Sequence, residues 1–169
     1  MAVESATFRE MFGMFPTAVS IVTAMERGEP RGLTCSAVSA VSMDPPLLLV
    51  CVDKASRTLN ALMTSEGFVV NVLAAGGQDI ARLFASSSVR KFAGVPWLPS
   101  SWAGGAPLLT DVALACAECS VEQTVEAGDH WIFIGRVEEV SVFPRQPLLH
   151  QRGRFDIWTD RAQEPQARR

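Results

Sequence analysis

Read for hydrophobic and polar positions, the chain is mostly a succession of short β-type runs. Residues 17–24 (TAVSIVTA) are rich in β-branched side chains and predict a first strand. The polar run ERGEP that follows predicts a hairpin loop. Residues 34–42 then form a strand with small and hydroxyl side chains, Thr34, Cys35, Ser36, Ala37, Ser39 and Ser42. Asp44-Pro45-Pro46 turns the chain, since proline fixes φ and cannot donate to a ladder. A purely apolar strand, residues 47–52, comes next. Residues 68–73, 113–125, 131–143 and 153–158 predict the remaining strands, with a hairpin turn at 126–130. Along 131–143 the apolar set Ile132, Ile134 and Val137 marks one face and Phe133 the other.

Helical spacing is rarer. Phe8, Met11, Phe12 and Phe15 recur at i, i+3, i+4 and i+7, after a Thr7–Glu10 capping box and before Pro16. They predict a short amphipathic helix packed on the body. A second helix is expected after Ser56 or Thr58 as cap, with Leu59, Leu62 and Met63 on one side and Gly67 as its C-terminal glycine. A third covers residues 79–86, with Ile80, Leu83 and Phe84 inward. Residues 86–105 read as a long irregular loop, a kind that is often functional. Six or so strands joined mostly by hairpins, with few short helices, predict a mainly β, antiparallel barrel.

Composition narrows the function more than the fold. A chain of 169 residues, 48% hydrophobic and 20% charged, suits one ordered domain. A net charge of −3 with no basic run gives no support to nucleic-acid binding. The longest apolar run is far too short to cross a bilayer, and the first residues lack the pattern of a signal peptide, so a cytoplasmic protein is expected. Cys116 and Cys119 have the C-x-x-C spacing, but they fall in a strand, where residues three apart point to opposite faces. They predict two small strand residues and no metal site. The sequence carries no G-x-G-x-x-G, Walker A, H-E-x-x-H or G-x-S-x-G motif, and only two histidines, His130 and His150.

Two adjacent strands, one small-sided and one apolar, make a wall that can lie flat against a planar ligand. Ser56, Arg57 and Thr58, placed after them at a helix start, can hold a phosphate where backbone N–H groups point outward. Asn71, alone among apolar neighbours, reads as a buried amide bonded to backbone. The residues by themselves thus give a barrel for a flat, phosphate-bearing ligand.

An ordered set of short pieces says more. They are Phe15-Pro16-Thr17, Gly32-Leu33-Thr34-Cys35-Ser36, Ser42-Met43-Asp44-Pro45-Pro46, Ser56-Arg57-Thr58 and Phe68-Val69-Val70-Asn71-Val72-Leu73. After them come Lys91-Phe92-Ala93-Gly94-Val95, Gly128-Asp129-His130, Ile132-Phe133-Ile134-Gly135, Pro147-Leu148-Leu149 and Gly153-Arg154-Phe155. In this order and spacing the chain resembles the short-chain flavin reductases, the reductase components of two-component flavin-dependent monooxygenases.

The resemblance implies a Greek-key split β-barrel with flanking helices over residues 1–159, a polar tail at 160–169, and a homodimer. It implies FMN or FAD as the flavin, NADH or NADPH as the hydride donor, and a partner monooxygenase. Thr34, Cys35, Ser36 and Ala37 would run along the flavin ring, with Cys51, Val52 and Asp53 near the ring and ribityl chain. Ser56 and Thr58 would bind the phosphate, helped by Arg90 or Lys91 in the segment that includes Phe92; a solvated loop charge is the other reading of that cationic pair. His130 would line the nicotinamide side, and Arg154 and Phe155 would lie near the nicotinamide nucleotide. The chain departs from the pattern at Ala18, where a glycine is expected, at Cys35, where Val or Ala is more usual, and at Phe155, where Tyr is common. Two other readings stay open: a protein with permanently bound flavin acting on another substrate, and a non-catalytic flavin- or haem-binding module.

Overall fold

A computed structural model describes residues 2–158. In chain order the elements are α1 (Ser5–Gly13), β1 (Thr17–Ala18), β2 (Ser20–Glu26), β3 (Glu29–Cys35), β4 (Val38–Met43) and β5 (Pro46–Asp53). There follow α2 (Leu59–Thr64), β6 (Gly67–Leu73), α3 (Gln78–Ala85), β7 (Leu98–Pro99) and β8 (Pro107–Leu108). The chain closes with β9 (Ala113–Ala127), β10 (His130–Val142), β11 (Leu148–Gln151) and β12 (Arg154–Ile157). The polar tail expected at 160–169 lies outside the described residues.

The main sheet has seven strands in the order β3-β2-β6-β9-β10-β5-β4, every pair antiparallel. Its two edge strands, β3 and β4, are consecutive in the chain and joined only by Ser36-Ala37. Laid flat, such edges would stand about 29 Å apart at the usual strand spacing. A two-residue link spans about 10 Å at most. The sheet therefore rolls until its edges meet, and the product is a split barrel. At the seam the Cys51 N–H donates to the Ala37 carbonyl at 3.0 Å. The Cys35 thiol reaches the carbonyls of Cys51 and Ala37 at 3.5 and 3.7 Å. The run 34–42, expected as one strand, is broken here because its halves serve opposite edges. Residues 17–24 are divided for a related reason. Buried Val19 marks the crossing from β1, in a small sheet β1-β11-β12, to β2 in the barrel.

Inside the barrel, Val22, Val50, Val52, Leu62, Phe68 and Phe133 form the main core. Phe133 is fully buried, with Trp131 and Val137 packed against the same core, while Ile132 and Ile134 are half-buried on the outer face; Val137 therefore shares the face of Phe133 and not, as expected, that of Ile132 and Ile134. A second cluster, including Ile21, Leu73, Phe84 and Leu148, seats α3 and the small sheet. Asn71 is buried as expected. Its amide donates to the Ile21 and Pro107 carbonyls at 3.2 Å, and its oxygen accepts the Leu109 N–H at 2.8 Å. Cys116 and Cys119 fall in different clusters on opposite faces of β9, and burial pushes their thiols up to about 11 and about 12. Buried Glu118, which the sequence did not single out, organises the long loop by accepting the Ser100 hydroxyl and the N–H groups of Ser101 and Trp102.

Other expectations are corrected. Helix α1 starts after Glu4 with no side-chain cap, so Thr7 is inside it and the capping box does not form. None of its residues is buried; Phe8, Met11 and Phe12, and Phe15 just beyond its end, are each about half exposed. Gly67 opens β6 and does not end α2; a Cβ there would stand 2.5 Å from the Cys119 carbonyl oxygen and 2.8 Å from the Ala103 Cα. Met63 is exposed, and Ala61 and Leu62 form the inner side of α2.

Gly135 lies where β10 shifts register, and a Cβ there would meet the Phe68 ring at 2.6 Å and the Cys119 Cβ at 2.9 Å. Gly135→Ala should therefore cost about 1–3 kcal/mol of stability by overpacking. Urea unfolding measures it as a lower midpoint with an unchanged slope.

Candidate functional site

Strand β5 delivers Asp53 to the end of the barrel, and the chain then makes two tight turns into α2. The Ala55 N–H donates to Asp53 Oδ1 at 2.7 Å and the Ser56 N–H to the Asp53 carbonyl at 2.9 Å. The Thr58 N–H donates to Ser56 Oγ at 3.3 Å and the Leu59 N–H to the Ser56 carbonyl at 3.1 Å. The Lys54 N–H goes to the Asp129 carbonyl at 2.9 Å. The N–H groups of Lys54, Ala55, Ser56, Thr58 and Leu59 are thus engaged locally, which leaves side chains a larger part in holding an anion.

Two cations stand ready for that. Lys91 Nζ donates to the Phe84 carbonyl at 2.7 Å and the Gly32 carbonyl at 3.1 Å, which leaves one N–H free. Arg57 Nη1 donates to the Ser87 carbonyl at 2.7 Å. Burial, and then the Arg57 charge, lower the Lys91 pKa. Among the described residues neither cation has a carboxylate partner; the ion pairs present involve Arg31, Lys54, Arg82, His130 and Arg136. Neighbouring like charges without a counter-charge disfavour each other, so an anion is the missing partner.

These side chains border a hollow of about 340 Å³ that also contains Thr34, Asp53, Ser56, Ser86 and Ser87. A second hollow of about 270 Å³, bordered by Thr58 and Phe92, shares Arg57 and Lys91 with it. Ser36 and Ala37 lie elsewhere, in a hollow of about 840 Å³ with His150, Phe12 of α1 and Phe15 just beyond it. That hollow meets a fourth, of about 610 Å³, at Gly153; Arg82, Arg154 and Phe155 line the latter. There the Arg82 guanidinium lies 5.2 Å from the Phe155 ring centre, and Phe155 meets the His150 ring edge-on at 5.4 Å.

The remaining residues singled out by sequence are placed less directly. Cys35 and Val52 turn their side chains into the core and offer a ligand only backbone; burial pushes the Cys35 thiol up to about 11. Cys51 is half-buried on β5, and its thiol is also raised by burial. The Thr34 hydroxyl donates to the Ala81 carbonyl at 2.6 Å, so only its lone pairs remain. Arg90 is exposed and borders none of these hollows. Nor does His130, which pairs with Asp53 in the β5–β10 ladder and holds Asp129 Oδ1 with Nδ1 at 2.7 Å. That bond holds the Asp129 carboxyl below its usual range.

Sequence reasoning missed Ser86, Ser87, Arg82 and His150. The run of serines at 86–88 just before Arg90-Lys91 was a usable signal; Arg82 and His150 gave none. Among the described residues no group of His, Cys, Asp or Glu could hold a metal, and no helix is long and apolar enough to cross a membrane. The arrangement suits binding and orienting an anionic, flat ligand.

Comparison with known proteins is consistent with this. The family described as "Flavin reductase like domain" matches residues 11–159. A flavin reductase (NADH) of Kitasatospora aureofaciens is 43% identical over 159 residues, covering 92% of this chain and 83% of that protein. The reductase subunit HsaB of a flavin-dependent monooxygenase of Rhodococcus jostii is 40% identical over 155 residues, 91% of this chain and 78% of that one. In structure, the NADH:FAD oxidoreductase SgcE6 of Streptomyces globisporus, solved with NAD and FAD fragments, matches with a TM-score of 0.87 at 37% identity. That match covers 96% of this chain and 99% of that one.

The unpaired cations lead to a direct test. Pyrophosphate should bind with a Kd about tenfold weaker in Lys91→Met than in the unaltered protein, the loss of one charge-assisted hydrogen bond. Calorimetric titration checks it; equal affinities would mean that Lys91 serves only the backbone carbonyls it already bridges.

Proposed function

The chain belongs to the flavin reductase like domain family, and on that premise we propose that it is an NAD(P)H:flavin oxidoreductase. It moves a hydride from NADH or NADPH to FMN or FAD and supplies the reduced flavin to a partner flavin-dependent monooxygenase. The observation that carries this reading is the Arg57–Lys91 pair, without a carboxylate partner among the described residues, opening on the hollow that Thr34 borders.

With both cofactors bound, hydride passes from C4 of the nicotinamide to N5 of the flavin, and the cofactors supply that chemistry. The chain's own task is to hold and align. Ser56, Arg57 and Lys91 take the flavin phosphate, and Thr58 closes the neighbouring wall. The backbone of residues 34–37 meets the polar edge of the ring, with Cys51, Val52 and Asp53 beside it. Arg154 and Phe155 receive the nicotinamide nucleotide, and His130, next to Asp53 in the ladder, stands on the nicotinamide side. No side chain has to take a proton from carbon, which agrees with a site that lacks clustered carboxylates.

We assign the working form to a homodimer. Leu49 and Cys51 of β5 sit across from Ile134 and Ile132 of β10, and all four side chains are only half-buried on the barrel's outer face. These side chains, like the exposed apolar side chains of α1, are of the kind that a second copy could cover. Work in the cytoplasm is supported by four cysteines, all unpaired, the state kept in a reducing compartment.

Oxidation of NADH or NADPH followed at the nicotinamide absorbance band should require added FMN or FAD and saturate with it. Consumption independent of added flavin would favour a permanently bound flavin, and no consumption at all would favour a non-catalytic module. In the same assay, His130→Ala should raise the KM for the nicotinamide several-fold more than that for flavin; equal effects would remove His130 from that side. In sedimentation, the protein should run as a dimer and Ile134→Glu as a monomer; a monomeric unaltered protein would overturn the dimer.

A further inference from the structure

The hollow holding Ser56 and the hollow bordered by Phe92 are not independent. Arg57 and Lys91 line both, so the two cations stand on the ridge between them. At about 340 and 270 Å³ each is at or below the low end of small-molecule pockets, which run roughly 300–1,000 Å³. Each has room for a part of a ligand. A ligand that spans both must carry its negative charge in the middle and an uncharged group at either end.

The second hollow has a definite chemistry. Its floor is the β3 backbone at Gly32, where Phe84 and Phe92 lie so close that a Cβ would stand 2.8 Å from one ring and 3.3 Å from the other. Phe92 and Pro30 give it apolar walls, and Val89, highly exposed, forms its outer lip. Glu26 brings a carboxylate to its edge, held by Arg31 Nε at 2.9 Å and by the Asn60 amide. An aromatic wall with one fixed acceptor is suited to a purine nucleoside, whose ring packs on the aromatic and whose amino or ribose hydroxyl groups donate to the carboxylate.

Resting on the reductase reading above, we propose that this second hollow holds the adenosine end of FAD, with the pyrophosphate across Arg57 and Lys91. FMN carries a single phosphate and has nothing to place beyond the ridge. The chain is therefore an FAD-preferring reductase, and Phe92, Glu26 and the lip at Val89 set that preference.

Binding of FAD, FMN and riboflavin to the full chain, followed by flavin fluorescence and calorimetry, tests this without turnover. The unaltered protein should bind FAD about tenfold or more tighter than FMN. Val89→Trp, on an exposed lip away from the core, should fill the hollow and weaken FAD about tenfold while leaving FMN within twofold. Glu26→Gln should weaken FAD alone, and free adenosine, which carries no phosphate to contest the ridge, should compete with FAD but not with FMN. Equal affinity of the unaltered protein for FAD and FMN, or equal losses for both flavins in Val89→Trp, would overturn the assignment while leaving the reductase reading intact. Failure to oxidise a reduced nicotinamide with any flavin would overturn the reductase reading itself.

Discussion

The fold depends on the shortness of one connection. Residues Ser36 and Ala37 join strands that are opposite edges of the same sheet, and so few residues cannot bridge a flat sheet of that width. Closure follows from chain length before any side chain is considered. The small residues at the seam are then a consequence. Cys35 is buried with its thiol against the carbonyls of Ala37 and Cys51, and a larger side chain would hold the edges apart. The same closure brings the end of β3 beside the end of β5, which places Thr34 and Asp53 at one hollow.

The cationic ridge is built by a similar economy. Lys91 is held by carbonyls from β3 and from the last turn of α3, and Arg57 by a carbonyl just after that helix. Each bond fixes a long side chain that would otherwise lose rotamer entropy on meeting a ligand. Gly32 makes the arrangement possible, because only a residue without a Cβ lets Phe84 and Phe92 lie on the strand. The aromatic pair, edge to face at 4.9 Å, supports the backbone carbonyl of Phe84 that Lys91 uses. Preorganisation here is thus a property of packing around a glycine as much as of charge.

Much of this was legible in the sequence where a local pattern has a single structural meaning. The hairpin turns, the antiparallel class, the divergent cysteines and the buried Asn71 all follow from period, turn chemistry or hydrogen-bond need. What was not legible turned on which side of an element meets the core. On β10 both faces are apolar, and Trp131, Phe133 and Val137 meet the core while Ile132 and Ile134 look outward. The stripe on α1 has helical spacing, yet periodicity does not say whether the covering surface belongs to the same chain. The segment expected to hold a phosphate does border a hollow, but its local hydrogen bonding differs from the open helix start that was expected. Side-chain turns at Asp53 and Ser56 take the N–H groups of Ala55 and Thr58, and the serines at 86–87 enter only through tertiary closure. His150 and Arg82 are joined through Phe155, a contact between separate elements that no spacing encodes.

The means of holding phosphate bears on how such a protein works. A glycine cradle surrounds an anion with rigid backbone donors and suits a cofactor that stays. In the proposed reading two side-chain cations on an open ridge would take that part, and charges near the surface are partly screened at physiological salt. Affinity can then be sufficient for alignment during hydride transfer without making release slow. A reductase whose product must leave intact and reach a second protein is constrained at that step, because tight retention would slow delivery. That Arg57 and Lys91 have no carboxylate partner among the described residues fits the same requirement: with no such competitor to displace, the ridge of the proposed site would accept and release an anion quickly.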